Sequence, residues 1–268
     1  MKKYIIILSA SALLASCSSY HKALKSEDKA LKYETATKLY EEDKHNKAIK
    51  LFEQIEGSYR GKPSGEGLFY RLSKSYYATK QYYLAAEKFK SFANGYPKSE
   101  KREEAMFLRA KSLYNVSPVY SKDQEDTESA IEILQLFIDT YPNSAYLKEA
   151  NELYAELNDK LELKAFEIAK QYNKIGEFTR NYNAAITALD NFMLDFPGSK
   201  YREDAMFYKY DSAYKLAVNS VDSKKKERLE KAIAIYGTLN STFVDSKYKK
   251  EAADMFATLN KELVQYSN

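Results

Sequence analysis

The only thiol of this 268-residue chain, Cys17, directly follows Leu14-Ala15-Ser16 and stands behind an apolar run, Tyr4 to Leu14, that opens on Lys2 and Lys3. A basic start, an apolar stretch too short to span a bilayer and a small-residue cleavage site make residues 1–16 a signal expected to be removed. Cys17 then becomes the first residue, and its thiol and new amine are the groups on which chemistry is expected. Other candidates fail on spacing. His21 and His45 are the only histidines; neither has a partner at metal-ligand spacing, so both are expected on the solvated surface, His21 in the tether and His45 in a turn. Glu41-Glu42-Asp43 and Glu103-Glu104 interleave with lysines as solvated helix faces do, which disfavours the paired acids of a glycoside hydrolase. Gly57 to Gly67 holds four glycines with Lys62 and Pro63, but no Lys-Ser or Lys-Thr pair follows, so it is a turn and not a phosphate loop. No catalytic constellation, metal or cofactor is expected.

Leu14-Ala15-Ser16-Cys17 resembles the lipobox of signal peptidase II substrates, in which the thiol takes a diacylglycerol and the amine is acylated after cleavage. Each buried methylene contributes about 0.8 kcal/mol, so more than one acyl chain holds a protein on a membrane stably. Ser18 and Ser19 stand where an Asp would favour inner-membrane retention in the lipoproteins this one resembles. The expected location is therefore the outer membrane, and residues 17–26 form a lipidated tether.

The elements behind the anchor are helical. Only 8 Gly and 5 Pro occur, too few for the tight turns of an all-β domain. Lys+Arg 42 against Asp+Glu 38, with two lysines in the signal, leaves the remainder close to charge-balanced and argues against a nucleic-acid binder. Without a second cysteine, the fold must rest on packing. The chain also repeats itself. Phe92-Ala-Asn-Gly-Tyr-Pro97-Lys-Ser99, Phe137-Ile-Asp-Thr-Tyr-Pro142-Asn-Ser144 and Phe192-Met-Leu-Asp-Phe-Pro197-Gly-Ser199 each have Ala seven residues before the Phe and eight after the Pro. A fourth copy, Leu239 to Ser246, keeps both alanines but has Val244 in place of the proline. Apolar residues at threes and fours, as in Ala130, Ile131, Leu134, Phe137 and Ile138, make the segment before each proline a helix with one buried face. Proline ends that helix and biases the aromatic before it towards extended backbone, and the serine two residues on is expected to cap the next helix.

Ala48, Phe52 and Ile55 match Ala85, Phe89 and Phe92 at one offset. Alanine four residues before an aromatic within a helix pair resembles the tetratricopeptide repeat. The implied fold is all-α, a solenoid of five helix pairs near 27–57, 64–95, 99–140, 144–195 and 199–241 with a capping helix near 246–265. Within the fourth pair, residues 144–176 read as one long or broken helix, and residues 116–126 as a surface loop suited to docking. In the tetratricopeptide pattern two positions of each first helix face an inner concave surface where partners bind. Counting back from Ala48 and Ala85 places Tyr33, Tyr40, Tyr70 and Tyr77 there, with Lys74 between the last two.

A lipobox followed by such pairs with Tyr-Pro-x-Ser turns resembles the BamD family of β-barrel assembly lipoproteins. Its most specific pieces are Tyr82 through Phe92 to Pro97 and the run Ala169-Lys-Gln-Tyr172 through Tyr182-Asn-Ala-Ala185 to Phe196-Pro197. The turn after the first pair departs from the pattern, with Tyr59 and a displaced Pro63, and the fourth repeat has extra residues around Gly176 to Asn181. The resemblance implies a non-enzymatic adaptor on the periplasmic face of the outer membrane. In that family the amino-terminal repeats receive unfolded barrel precursors and later repeats dock on POTRA domains of a BamA-like insertase; no nucleic acid or small-molecule substrate is implied. Mapped here, Tyr33, Tyr40, Tyr70, Lys74 and Tyr77 would receive a barrel strand. The competing readings are a pilotin or a Tol-Pal-type envelope scaffold, then a SusD-type sugar-capturing lipoprotein, disfavoured by the absence of Trp, and an anchored peptidoglycan enzyme.

Overall fold

The computed structural model describes residues 19–266, so the signal and the lipid-bearing Cys17 expected from the sequence lie outside the described residues. Every regular element among the described residues is helical. The helices are α1 (Lys29–Glu41), α2 (His45–Tyr59), α3 (Glu66–Ala78), α4 (Tyr82–Gly95), α5 (Arg102–Val116), α6 (Glu125–Thr140), α7 (Leu147–Thr179), α8 (Asn183–Asp195), α9 (Arg202–Val218), α10 (Asp222–Thr242) and α11 (Lys249–Val264). They are the tetratricopeptide-like pairs, with α11 as the closing helix.

The contacts divide the chain into two compact units, one through Leu157 and one from Asn158 on, each with its own apolar core. In the first, α1 to α6 pack each on its successor, and α1 also touches α3. Ala150 and Leu157, on the amino-terminal part of α7, complete that core. In the second, α8 to α11 pack likewise, α9 also touches α11, and Phe166 and Ala169 of α7 join the core. No Gly or Pro falls between Leu147 and Ile175, and α7 is one helix of 33 residues that continues through Gly176 to Thr179.

The motif alanines are small because helices close in on them. Ala48, Ala85, Ala105, Ala130, Ala150, Ala185, Ala205 and Ala232 have no exposed surface, nor have Phe52, Phe89, Phe92 and Phe137. Each aromatic before the turn takes the same backbone form: Tyr96 and Tyr141 at φ −128, ψ 64, Phe196 at −124, 68 and Phe243 at −121, 72. Phe243 precedes Val244, so proline is not required for this geometry. The shared cause is the amide of each aromatic, which bonds the carbonyl four residues back at Phe92, Phe137, Phe192 and Leu239.

The serines act one step earlier than expected. The helices begin after Lys101, Tyr201 and Tyr248, whose side chains make no cap. Ser99, Ser144, Ser199 and Ser246 instead accept the amide two residues on, at 3.0–3.2 Å, through Oγ, and so cap the single turn that leads into each helix. Their hydroxyls also reach across repeats. Ser99 donates to Glu66 at 2.7 Å, Ser144 to Glu103 at 2.6 Å and Ser246 to Glu203 at 2.8 Å. Glu103 is therefore not part of a solvated face.

One other expectation changes, and two that hold gain detail. Residues 19–25 of the tether are helical and bury Tyr20 and Ala23 in the first core. The turn after α2 closes on itself: Gly65 lies so near the Tyr59 carbonyl and the Tyr96 hydroxyl that an added Cβ would sit 2.4 and 2.5 Å from them. The loop after α5 is built around buried Gln124, which donates to the carbonyls of Val119, Lys122 and Asp123 and accepts from Thr127; Val119 and Tyr120 remain outside.

Candidate functional site

The five candidate residues all belong to the first unit. Tyr33 and Tyr40 stand on α1, and Tyr70, Lys74 and Tyr77 on α3, seven residues being nearly two helical turns. Their environments differ. Tyr33 stacks on Tyr59, with ring centres 5.5 Å apart at 21°, and meets Phe52 edge-on at 6.4 Å. Tyr70 is 9% exposed, packs on Phe92 at 5.5 Å and donates to Glu104 Oε2. Tyr70 is thus buried, while Tyr33, like Tyr40 and Tyr77, is partly buried against the first core. Tyr40 and Tyr77 are half-buried, Tyr40 edge-on to His45 at 5.4 Å and Tyr77 edge-on to Tyr82 at 5.5 Å.

Lys74 is paired. Its Nζ lies 2.9 Å from Glu104 Oε1 and 6.0 Å from the Tyr70 ring centre, while Lys101 covers the same ring at 5.3 Å. The pattern recurs one repeat on, where Lys111 lies over Phe107 at 5.8 Å and 2.6 Å from Glu149. Tyr146 stacks on Phe107 from the place that Lys101 occupies over Tyr70. In the second unit Tyr201 stacks on Phe166, and Tyr248 on Phe207 at 3.8 Å. Tyr70, Phe107, Phe166 and Phe207 are therefore each covered by a residue from the turn that opens the next repeat. Neighbouring repeats are joined through rings and carboxylates.

The electrostatics follow. Burial raises the Tyr70 hydroxyl pKa strongly, and the Glu104 carboxylate adds to that rise. Burial alone would raise Glu104, but Tyr70, Lys74 and Lys101 outweigh it and hold the carboxyl below its ordinary 4.5. Tyr114, buried beside Glu156, is pushed up to about 12. A carboxylate with a lowered native pKa stabilises the fold above its unfolded value, and that contribution is lost as pH falls through the native one. Glu104→Gln should therefore lower the urea midpoint at pH 7 by more than at pH 3. Equal loss at both pH values would show that the ionised form contributes nothing.

His45 is not a solvated turn residue. It opens α2, and its ring is held between Tyr40, the Ser75 hydroxyl at 3.3 Å from Nδ1 and Asp43 at 3.5 Å from Nε2. His21 is exposed. Among the described residues no three His, Cys, Asp or Glu side chains gather as metal ligands, and no helix is long and apolar enough to cross a membrane.

A family model described as YfiO, outer membrane lipoprotein, matches residues 25–181 and 178–267. The two stretches cover both units. The chain belongs to the YfiO outer membrane lipoprotein family. Two relatives of this YfiO chain are outer membrane protein assembly factors by description. One, from Aquifex aeolicus (strain VF5), provisionally described as BamD, is 30% identical over 161 residues, 60% of this chain and 51% of the relative. The other, BamD of Caulobacter vibrioides (strain ATCC 19089 / CIP 103742 / CB 15), is 24% identical over 147 residues, 55% of this chain and 48% of the relative. The matched stretches span about half the length of each of these curated relatives.

Proposed function

We propose that this YfiO-family chain is a lipid-anchored, non-enzymatic adaptor of β-barrel assembly, held on the periplasmic face of the outer membrane through Cys17. The observation that carries the reading is the family match across both units, from residue 25 to residue 267, supported by relatives described as assembly factors. The first-helix face of the first unit receives unfolded barrel precursors, and the second unit docks on the POTRA domains of a BamA-like insertase. Holding both partners on one chain raises their effective concentration, so no bond need be made or broken. Affinity purification from solubilised membranes tests this. Recovery of a POTRA-bearing barrel protein supports it, whereas recovery of a secretin or a Tol component overturns it.

Tyr40 and Tyr77 serve as the probes of the receiving face, since Tyr70 is buried and Tyr33 is stacked face-on against Tyr59. An amphipathic barrel strand ending in an aromatic residue offers these rings apolar area, and their hydroxyls can meet its polar atoms. Replacing both Tyr40 and Tyr77 by Ala should weaken binding of a barrel-strand peptide by about tenfold, the loss of one to two aromatic contacts, with far-UV circular dichroism unchanged. Unaltered affinity in a helical variant would remove the strand from this face.

A further inference from the structure

The adaptor reading assigns no residue of the second unit, and that unit carries a cleft. It has a volume of about 420 Å³ and lies where α8 and α10 flank α9. Ala213 and Leu216 of α9, with Ile186 and Ile235, give it apolar surface. Lys224, Arg228 and Lys231 of α10 follow one another at i, i+4 and i+7, on one side of the helix, and all three line the cleft. Glu227 is the only carboxylate among the lining residues.

Two of these three cations are held by neighbours. Lys225, between them in sequence, is turned away into a 2.7 Å ion pair with Glu262. Arg228 is oriented by a 2.8 Å hydrogen bond from its guanidinium to the Ser220 hydroxyl. Lys231 is held by Glu227, whose carboxyl is kept below its ordinary value by Lys231 first and then by Arg228 and Lys224. Asn183, at the opposite side of the lining, is the first residue of α8, a helix with no acidic side chain in its first turn and no side-chain cap. The positive end of that helix adds to the charge of the cleft.

The geometry points to a docking cleft for an acidic, aliphatic segment of another protein: Asp or Glu side chains against Lys224, Arg228 and Lys231, and an interleaved Leu or Ile over Leu216 and Ile235. A volume of this size takes a few side chains. The apolar floor distinguishes such a segment from a bare anion, which would leave Ile186, Leu216 and Ile235 wet. Glu227 also argues against a densely charged phosphate, since it would face that charge directly, whereas spaced carboxylates can straddle it. The cleft is made wholly of second-unit residues and is independent of what the first unit receives.

Fluorescence anisotropy of the detergent-solubilised whole protein tests this, with a fluorescein-labelled Gly-Glu-Leu-Glu-Ile-Asp-Gly peptide as probe. Lys224 and Lys231 are exposed, so Lys224→Glu with Lys231→Glu should leave helicity intact and weaken binding by about tenfold or more, an effect that shrinks in high salt. A peptide with Ser for Leu and Ile should also bind more weakly. Absence of binding, equal binding of the peptide with Lys for its acids, or indifference to the charge reversal would each overturn the proposal. So would soluble dihexanoyl-phosphatidylglycerol that binds in a Lys224- and Lys231-dependent way while the peptide does not, because the cleft would then serve a lipid headgroup.

Discussion

Phe137→Ala should cost about 3–5 kcal/mol, the range for truncating a fully buried aromatic ring. Phe137 has no exposed surface, and its ring lies 5.5 Å from Phe107 of the same pair and 5.3 Å from Tyr141 of the turn. Its removal empties the point where α5, α6 and the turn meet. The Phe107 ring, already stacked on Tyr146 at 4.7 Å, cannot move in without giving up that contact. Leu136, next to it in sequence, is 45% exposed, so Leu136→Ala should change stability by less than about 0.5 kcal/mol. Urea titrations followed by circular dichroism compare the two. Because about 3–5 kcal/mol is a large share of a domain's typical stability, Phe137→Leu serves as a milder variant with an expected loss of about 1 kcal/mol. Similar midpoints for Phe137→Ala and Leu136→Ala would mean that the motif phenylalanine does not anchor the pair.

What could be read from the sequence was local. Ala48, Phe52 and Ile55 announced their matches at Ala85, Phe89 and Phe92 because helix packing demands a small residue at one point and an apolar one at three and four beyond, and all six are buried. The prolines marked helix ends, yet Phe243 before Val244 shows that the turn geometry follows from the helix-ending hydrogen bond. What stayed hidden joins residues far apart in sequence. Ser99 to Glu66, Ser144 to Glu103 and Tyr70 to Glu104 span 33, 41 and 34 residues, and no local spacing distinguishes these glutamates from solvated ones. His45 was misplaced for the same reason, its partner Ser75 being 30 residues on. At the candidate face, counting along the repeat located the five side chains, but it could not separate Tyr70, buried beneath Lys101, from Tyr77, which is only partly buried. The cations of the second-unit cleft were visible as charges; the apolar floor beneath them joins Ile235 of the same helix to Ile186, Ala213 and Leu216 of two others.

Gly176→Ala sets two effects against each other, and their sizes decide the sign. Gly176 lies inside α7, where alanine is favoured by about 1 kcal/mol on helix propensity alone. A Cβ there would sit 2.4 Å from Tyr182 Cδ1 and 2.6 Å from Cε1. Tyr182 has little freedom to yield: it is 4% exposed, immediately precedes α8, and is covered by Lys215 at 6.0 Å. Lys215 is itself fixed between Asp211 at 2.8 Å and Glu177 at 3.0 Å. Asn173, one turn back on α7, is buried and donates to Asp211 at 2.7 Å and Ser212 at 2.8 Å, so the helix cannot slide away from α9 without breaking both bonds. Forcing a methyl against this nearly buried ring costs about 1–3 kcal/mol against a propensity gain of about 1 kcal/mol, and a net loss is expected. Combining Gly176→Ala with Tyr182→Ala isolates the clash. In that background the methyl meets no ring, and the same glycine replacement should stabilise, so the coupling between the two sites should be of opposite sign to the single loss. If Gly176→Ala alone raises the urea midpoint, Tyr182 yields freely and the tight approach of α7 to the turn before α8 is not what the glycine serves.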